Sequence, residues 1–462
     1  MKSRARIAIA LFLPVVFCCG LHAAAPVKGK PNFMQKLFPL KPAKQPASAQ
    51  TDEIPHVLTL KAAEAYALAH HPDIKAALYK ADAAKQGVVE SRADFFPQLT
   101  GIAVFAEANN NGDARIAAYN GLSNPTILTR EANGLYLTQL ITDFGKTALL
   151  TSRAILTAKS ANERIDAIRQ LVLLNVDKAY FGALGAEALV RLTDQEVSTN
   201  QLLYDRIKAL SASNLKSTLD VSLQQANLAQ ARLLQVNAQG RFQEAMAELA
   251  AALGSRADAD FTLSHEDSLA TVPESVQPLL SEAMAQRPDI ISLRYSRDAA
   301  FRAASAAGAA RLPNITGIAA GGLTPYHEQT LPDNYGMVGV NVSVPLFTGG
   351  KLSAQQKELQ FQAKAFEQFL ENQEIVALRD VRDAWIDART SYKKIQVSKE
   401  FLEASSTAFE LAQSLYVAGT SSIVEVSQSD LQRIEAQIAY INAKYEYQTK
   451  LSVMAYETGN LK

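Results

Sequence analysis

The spacing of apolar residues changes period along this chain, and it runs through the same changes twice. Apolar positions between Thr59 and Ala93 recur at helical spacing, and Pro97 follows. Residues ahead of a proline avoid the helical region, so a helix is predicted over 59–93, and a second over 276–310 ahead of Pro313. The period then drops to two. From Gly336 to Leu346, Val338, Val340, Val342, Val344 and Leu346 face one way while Met337, Gly339, Asn341 and Ser343 face the other, which predicts a strand. Leu135, Leu137 and Ile141 alternate similarly, and weaker strands are predicted near Gln98–Ala106 and Asn314–Gly321. Polar loops, Glu107–Asn133 and Leu323–Tyr335, join the strands into one hairpin per copy.

Helical periodicity returns for the remainder of each copy. No proline lies between Lys146 and Val272 or after Pro345. Asn214 and Gly419 both suit the left-handed end of a helix, so the pattern predicts a helix over 145–213, a tight turn and a second helix over 218–253. At 1.5 Å per residue the longer helix would reach about 100 Å, too long for a globular domain to bury. It carries two stripes: Ile155, Ile165, Val172, Val176, Val190, Val197 and Ile207 on one side, and Leu171, Leu174, Phe181 and Leu184 roughly opposite. Opposed stripes call for neighbours on both flanks, as in a ring of helices; a plain antiparallel coiled coil would show one dominant seam.

The recurrence is literal at several points. His71-Pro72-Asp73-Ile74 returns as Arg287-Pro288-Asp289-Ile290, and Phe96-Pro97-Gln98-Leu99 as Leu312-Pro313-Asn314-Ile315, both 216 residues later. From Asp143-Phe144-Gly145-Lys146 and Thr348-Gly349-Gly350-Lys351 onward the offset is 205, carrying Tyr180 onto Trp385, Leu219-Asp220-Val221-Ser222 onto Val424-Glu425-Val426-Ser427 and Gly254 onto Gly459. The 11 extra residues of the first copy fall in its hairpin loop. A duplicated unit of about 200 residues exceeds any solenoid repeat and points to a pseudosymmetric assembly.

Composition refines this outline at the N-terminus. Lys2, Arg4 and Arg6 precede an apolar run from Ile7 to Cys19 and a small-residue stretch, Ala23-Ala24-Ala25, the pattern of a secretory signal peptide over 1–23. A lipid on Cys18 or Cys19 would want a small preceding residue where Phe17 or Cys18 stands. Cleavage removes both cysteines, so disulfides and thiol chemistry are excluded from the mature chain. It also takes the balance of 46 basic against 46 acidic residues to 43 against 46, which argues against nucleic acid as a partner. Residues 24–55, rich in Pro, Lys, Ala and Gln, read as a flexible arm; 56–254 and 276–462 are the two repeats, with 255–275 a linker.

Strands of about ten residues have the length to cross an outer-membrane bilayer, but four cannot close a barrel, and an open edge in lipid leaves backbone groups unpaired. They form either a small soluble sheet or part of a twelve-stranded barrel pooled from three chains.

With the helix-Pro-strand-strand-Gly-helix-helix plan repeated, with Pro97-Gln98-Leu99, Pro313-Asn314-Ile315 and Phe347-Thr348-Gly349-Gly350-Lys351, and with the run from Tyr416 through Gly419-Thr420-Ser421 to Val426, the sequence resembles the TolC family of outer-membrane efflux proteins from about Val57 to Leu461. The resemblance implies an α+β fold: long antiparallel helices plus a hairpin in each half, with a homotrimer forming a twelve-stranded barrel in outer-membrane lipid and an α-helical tunnel through the periplasm. It implies a passive duct without cofactor or catalysis, docked onto a periplasmic adaptor and an inner-membrane pump of the RND, ABC or MFS type. A protein-secretion machine is the nearest alternative cargo system; a secreted structural coiled-coil protein is the alternative from another class. By position, Tyr416 and Asp220 match polar links between helix tips, and Glu425 the first of two gate carboxylates. The second falls at Gln428, and Ser421 stands where some members carry an arginine that bonds across the helices. Asn214, Leu215, Ser217, Gly419, Thr420 and Ser421, in the turns, are the expected adaptor contacts.

Other chemistry is excluded by spacing. Gly145-Lys146-Thr147 lacks the first glycine of a phosphate loop, with Leu140 at that place, and Gly350-Lys351 is followed by Leu352 where Ser or Thr is required. His70 and His71 are adjacent, about 100° apart on a helix, and read as a solvated cap and not a metal pair. Tyr119, Tyr136, Phe144, Tyr326, Tyr335 and Phe347 flank the strands as interfacial aromatics would.

Overall fold

Left-handed backbone marks the corners of the chain. In the computed structural model, which describes residues 56–106, 130–256, 261–265, 270–327 and 333–461, the residues with positive φ form four pairs, each 205 apart: Phe144 and Gly349, Gly145 and Gly350, Asn214 and Gly419, Gly254 and Gly459. The leader, the arm, Tyr119 and most of the first hairpin loop lie outside the described residues. Two successive left-handed residues turn each strand into a helix; at the first corner Asp143 fixes the turn by accepting from the backbone N–H of Gly145 at 3.1 Å and of Thr147 at 2.7 Å. The two Gly-Lys pairs are therefore strand-to-helix corners.

In the first half the described elements are β1 (Val57–Leu58), α1 (Leu60–His70), α2 (Pro72–Ala93), β2 (Gln98–Ala106), β3 (Arg130–Thr142), α3 (Lys146–Ala212) and α4 (Thr218–Ala252). The second half has β4 (Thr262–Leu263), α5 (Gln277–Gln286), α6 (Pro288–Ala309), β5 (Asn314–His327), β6 (Asn334–Ser343), α7 (Lys351–Val417) and α8 (Ile423–Glu457). α3 and α7 have 67 residues each, about 100 Å of helix. α3 packs along α4 and also against α2, α6 and α8, so both of its stripes meet neighbours; Leu174, Phe181 and Leu184 of the second stripe are buried, whereas Leu171 is exposed. Among the described residues no helix is long and apolar enough to cross a membrane.

The expected helices over 59–93 and 276–310 are each two helices. The chain turns extended at His71 and Arg287, the residues before Pro72 and Pro288. That is the steric effect of a following proline, acting earlier than at Pro97 and Pro313. His71 becomes the cap of α2, its Nδ1 accepting from the Asp73 N–H at 3.2 Å, and its side chain is only 15% exposed instead of solvated. Strand bounds also shift. β6 stops at Ser343, short of Val344–Leu346, where Pro345 offers no N–H to a ladder; β5 runs on to His327 and β3 begins at Arg130, shortening both expected loops. A parallel pair, β1 with β4, ties the start of the first repeat into the expected linker, and Tyr180 Oη donates to the carbonyls of Leu58 and Ser264 on either side of it.

The two hairpins join through β3 and β5 into one antiparallel sheet of order β2-β3-β5-β6. Its register sets Leu99, Leu137, Ala319 and Val338 in one row and Gly101, Leu135, Gly321 and Gly336 in the next, so Leu99, Leu135, Leu137, Val338, Val340 and Val342 share a face. The opposite face is mixed: it carries Thr100, Tyr136, Thr138, Thr316 and Asn341 beside Ile102, Val104, Leu140, Ile318 and Met337. The apolar face has no covering layer: Leu99 is 62% exposed, Val338 89% and Val340 63%. Tyr136 sits in mid-strand opposite Thr100 and Ala320, so it is not an end-of-strand aromatic, whereas Phe144 and Phe347 are exposed at the corners. Tyr335 lies over Gly134 and Gly322, where a Cβ would collide with its hydroxyl.

Candidate functional site at the helix tips

Both helical hairpins end in the same turn, built from different residues. At the end of α3 the Leu215 N–H donates to the Leu210 carbonyl at 2.9 Å; at the end of α7 the Thr420 N–H donates to the Leu415 carbonyl at 3.0 Å. This six-residue closure needs a left-handed residue, supplied by Asn214 at φ 59° and Gly419 at φ 82°. The following helices start on serine caps. Ser217 Oγ accepts from the Leu219 N–H at 3.1 Å, and Ser422 Oγ from the Glu425 N–H at 3.3 Å.

The tips are held side by side by a small apolar cluster of Ile207, Phe409, Tyr416, Ile423 and Val426, with Leu203 and Val221 against it. Tyr416 is buried, and its hydroxyl donates to Asp220 Oδ2 at 3.2 Å across the two hairpins. Burial first, then the Asp220 charge, pushes the tyrosine pKa up to about 12, so it stays a proton donor through the physiological range. Of the expected site residues the structure thus joins Tyr416 to Asp220, and it also joins Ser421 to Glu425, the hydroxyl bonding Glu425 Oε2. Glu425 itself is exposed on the first turn of α8, with Gln428 exposed one turn further on. Asn214, Leu215, Ser217, Gly419 and Thr420 are exposed at the end of the molecule formed by the turns.

Sequence reasoning missed a buried polar belt above the tips. Arg433 of α8 donates to Glu196 of α3 at 2.6 Å and to Asp430 at 2.6 Å, and its guanidinium stacks over the Phe409 ring of α7 at 4.6 Å. Asn200 donates to Asp430 at 3.5 Å, Gln224 of α4 to Asn200 at 2.8 Å, and Asn227 of α4 to Ser427 of α8 at 2.8 Å. Glu196, Asn200 and Gln224 are each at most 4% exposed. Burial raises the Glu196 pKa against the lowering pull of Arg433. The signal that could have found this belt is the polar interruption of apolar stripes at Glu196, Asn200 and Gln224. Lys216, in the first turn, was also missed; it reaches across to Tyr416. Among the described residues no group of three or more His, Cys, Asp or Glu is placed to hold a metal.

The chain is similar to known proteins in sequence and in fold. The outer membrane protein TolC of Salmonella enteritidis is 25% identical over 407 residues, covering 85% of this chain and 80% of the relative. The toluene efflux pump outer membrane protein TtgC of Pseudomonas putida is 24% identical over 380 residues, covering 81% and 77%. In fold, the crystal structure of the outer membrane protein VceC from Vibrio cholerae aligns over 87% of this chain and 96% of that one, with a TM-score of 0.74 at 19% identity. The sequence model of the outer membrane efflux protein family matches residues 65–255 and 279–455. With both halves matched, this chain belongs to the outer membrane efflux protein family.

Proposed function

We propose that this outer-membrane protein is the passive duct of a tripartite export system, three copies closing one twelve-stranded barrel in lipid and one helical tunnel beneath it, through which small molecules leave the cell. The observation that carries the reading is the sheet. One face is apolar and uncovered, and its outer strands, β2 and β6, each pair on one side only within the chain. In lipid such edges are tolerated only if other strands complete them, and three copies would bring twelve strands and no edge. The contrast between an apolar face and one that carries Gln98, Thr100, Thr138, Thr316 and Asn341 among its residues suits the first toward lipid and the second toward a wet lumen. An efflux role for small molecules draws on the toluene pump named among its relatives.

In this reading the tips close the far end. Three-fold symmetry makes a ring of Glu425 near the axis, with Gln428 a neutral ring beside it, and the turn residues Asn214, Leu215, Ser217, Gly419, Thr420 and Ser421 face the periplasmic adaptor, which connects to an inner-membrane pump. Detergent-extracted protein is expected to have the mass of a trimer and to conduct ions in a planar bilayer. A monomer without conductance, released with the periplasmic fraction, would contradict the proposal.

A further inference from the structure

We propose that Lys216 is the positioning residue that holds the closed tip, a clasp reaching from the first hairpin onto the second. Its Nζ donates to the Tyr416 carbonyl at 3.2 Å and stands 3.8 Å from the centre of the Tyr416 ring. Both contacts cross between the hairpins. The carbonyl belongs to the last turn of α7, where the helix presents partial negative charge; it also accepts the Gly419 N–H at 3.1 Å, and its second lone pair serves Lys216. The ring is buried in the apolar cluster that joins the tips, with Asp220 bonded to its hydroxyl. Tyr416 is thus gripped from both sides by one turn and helix start: Asp220 takes its hydroxyl, and Lys216, four residues earlier, takes its ring face and its carbonyl.

The duplication sharpens the assignment. The position 205 residues after Lys216 is Ser421, whose hydroxyl is spent within its own hairpin, on Glu425. The residue equivalent to Tyr416 in the first copy is Ser211, which has no ring to grip. The two turns have the same backbone, yet the cation sits on one and its aromatic seat on the other, so this clasp forms once per chain and in one direction. A cation over a partly desolvated ring, supported by a hydrogen bond, is strong enough to bias a two-state tip.

The inference rests on the duct reading, so it is tested with two readouts. Wild type, Lys216→Met and Lys216→Arg are compared as intact, detergent-extracted protein for single-channel conductance and for hydrogen exchange over residues 207–221. Losing the clasp is expected to lower the ratio of closed to open tips roughly tenfold per copy, giving more open time or larger conductance for Lys216→Met. Exchange is expected to be faster at the tip and unchanged around Glu196 and Arg433, with Lys216→Arg close to wild type in both readouts. If Lys216→Met matches wild type in tip exchange and conductance, the clasp is overturned. Wild-type protein that never conducts would overturn the duct, and the exchange comparison would then decide the clasp by itself.

Discussion

The two hairpin tips share one backbone and divide the chemistry between them. Both turns close through the same six-residue bond and both next helices begin on a serine. The first tip brings a cation, Lys216, and an acceptor, Asp220, to bear on the second; the second offers the aromatic seat, Tyr416, and carries Glu425 outward on a bond from Ser421. Duplication supplied two equal frames, and divergence at three matched positions, 211 with 416, 216 with 421 and 220 with 425, made them complementary. A pair of identical tips would have no such lock. Higher up, the belt of Glu196, Arg433 and Asp430 joins the same two hairpins through largely buried charge, a joint set above more exposed tip contacts.

The division between joint and tip can be broken most severely at the joint. Arg433→Met leaves Glu196 buried without its partner and is expected to cost about 3 kcal/mol or more per copy, read as the denaturant midpoint of the detergent-solubilised protein. The pH dependence follows from the raised Glu196 pKa. Without the lowering pull of Arg433 the folded-state value rises further above the unfolded one. The folded variant then binds the proton more tightly than the unfolded chain, so its deficit is full at high pH and shrinks as pH falls toward the ordinary carboxylate range.

At the exposed end the effect is on conduction. In the proposed trimer, Glu425→Gln is expected to weaken block by a divalent cation by about tenfold, because three like charges gathered at the proposed constriction would focus cations strongly. Unchanged block would remove Glu425 from the gate. The smallest effects sharpen the equality of the two frames. At φ 82° Gly419→Ala meets no neighbouring atom and suffers only backbone strain, about 1 kcal/mol. Asn214→Gly relieves the same strain and is expected to gain about 0.5 kcal/mol. Opposite signs in the denaturant midpoint would show two frames with one geometry; equal signs would not.

Much of this was legible because long-range order here is written locally. Proline-free stretches and a left-handed residue type at Asn214 and Gly419 located the long helices to within a residue or two. Alternating valines located β6, although Pro345 ended it before Val344. The breaks at His71 and Arg287 were missed because helical spacing continues across Pro72 and Pro288, and the pairing of β1 with β4 was missed because two residues carry no period. The pairing of Tyr416 with Asp220 came from resemblance. Lys216 and the belt could not be read that way: a lone lysine in a polar turn looks like solvated charge, and Glu196, Asn200 and Arg433 show their purpose only when α3, α4 and α8 are side by side.

The central claim is that unlike tips, meeting through Tyr416, close the duct. Its most direct test is the single-channel conductance of the Lys216→Met/Tyr416→Phe double variant beside wild type in the same bilayer. The double variant removes the clasp and the bond to Asp220 while sparing the buried joint, and is predicted to conduct more than wild type and at least as much as either single variant. A double variant with wild-type conductance and open time would contradict the account.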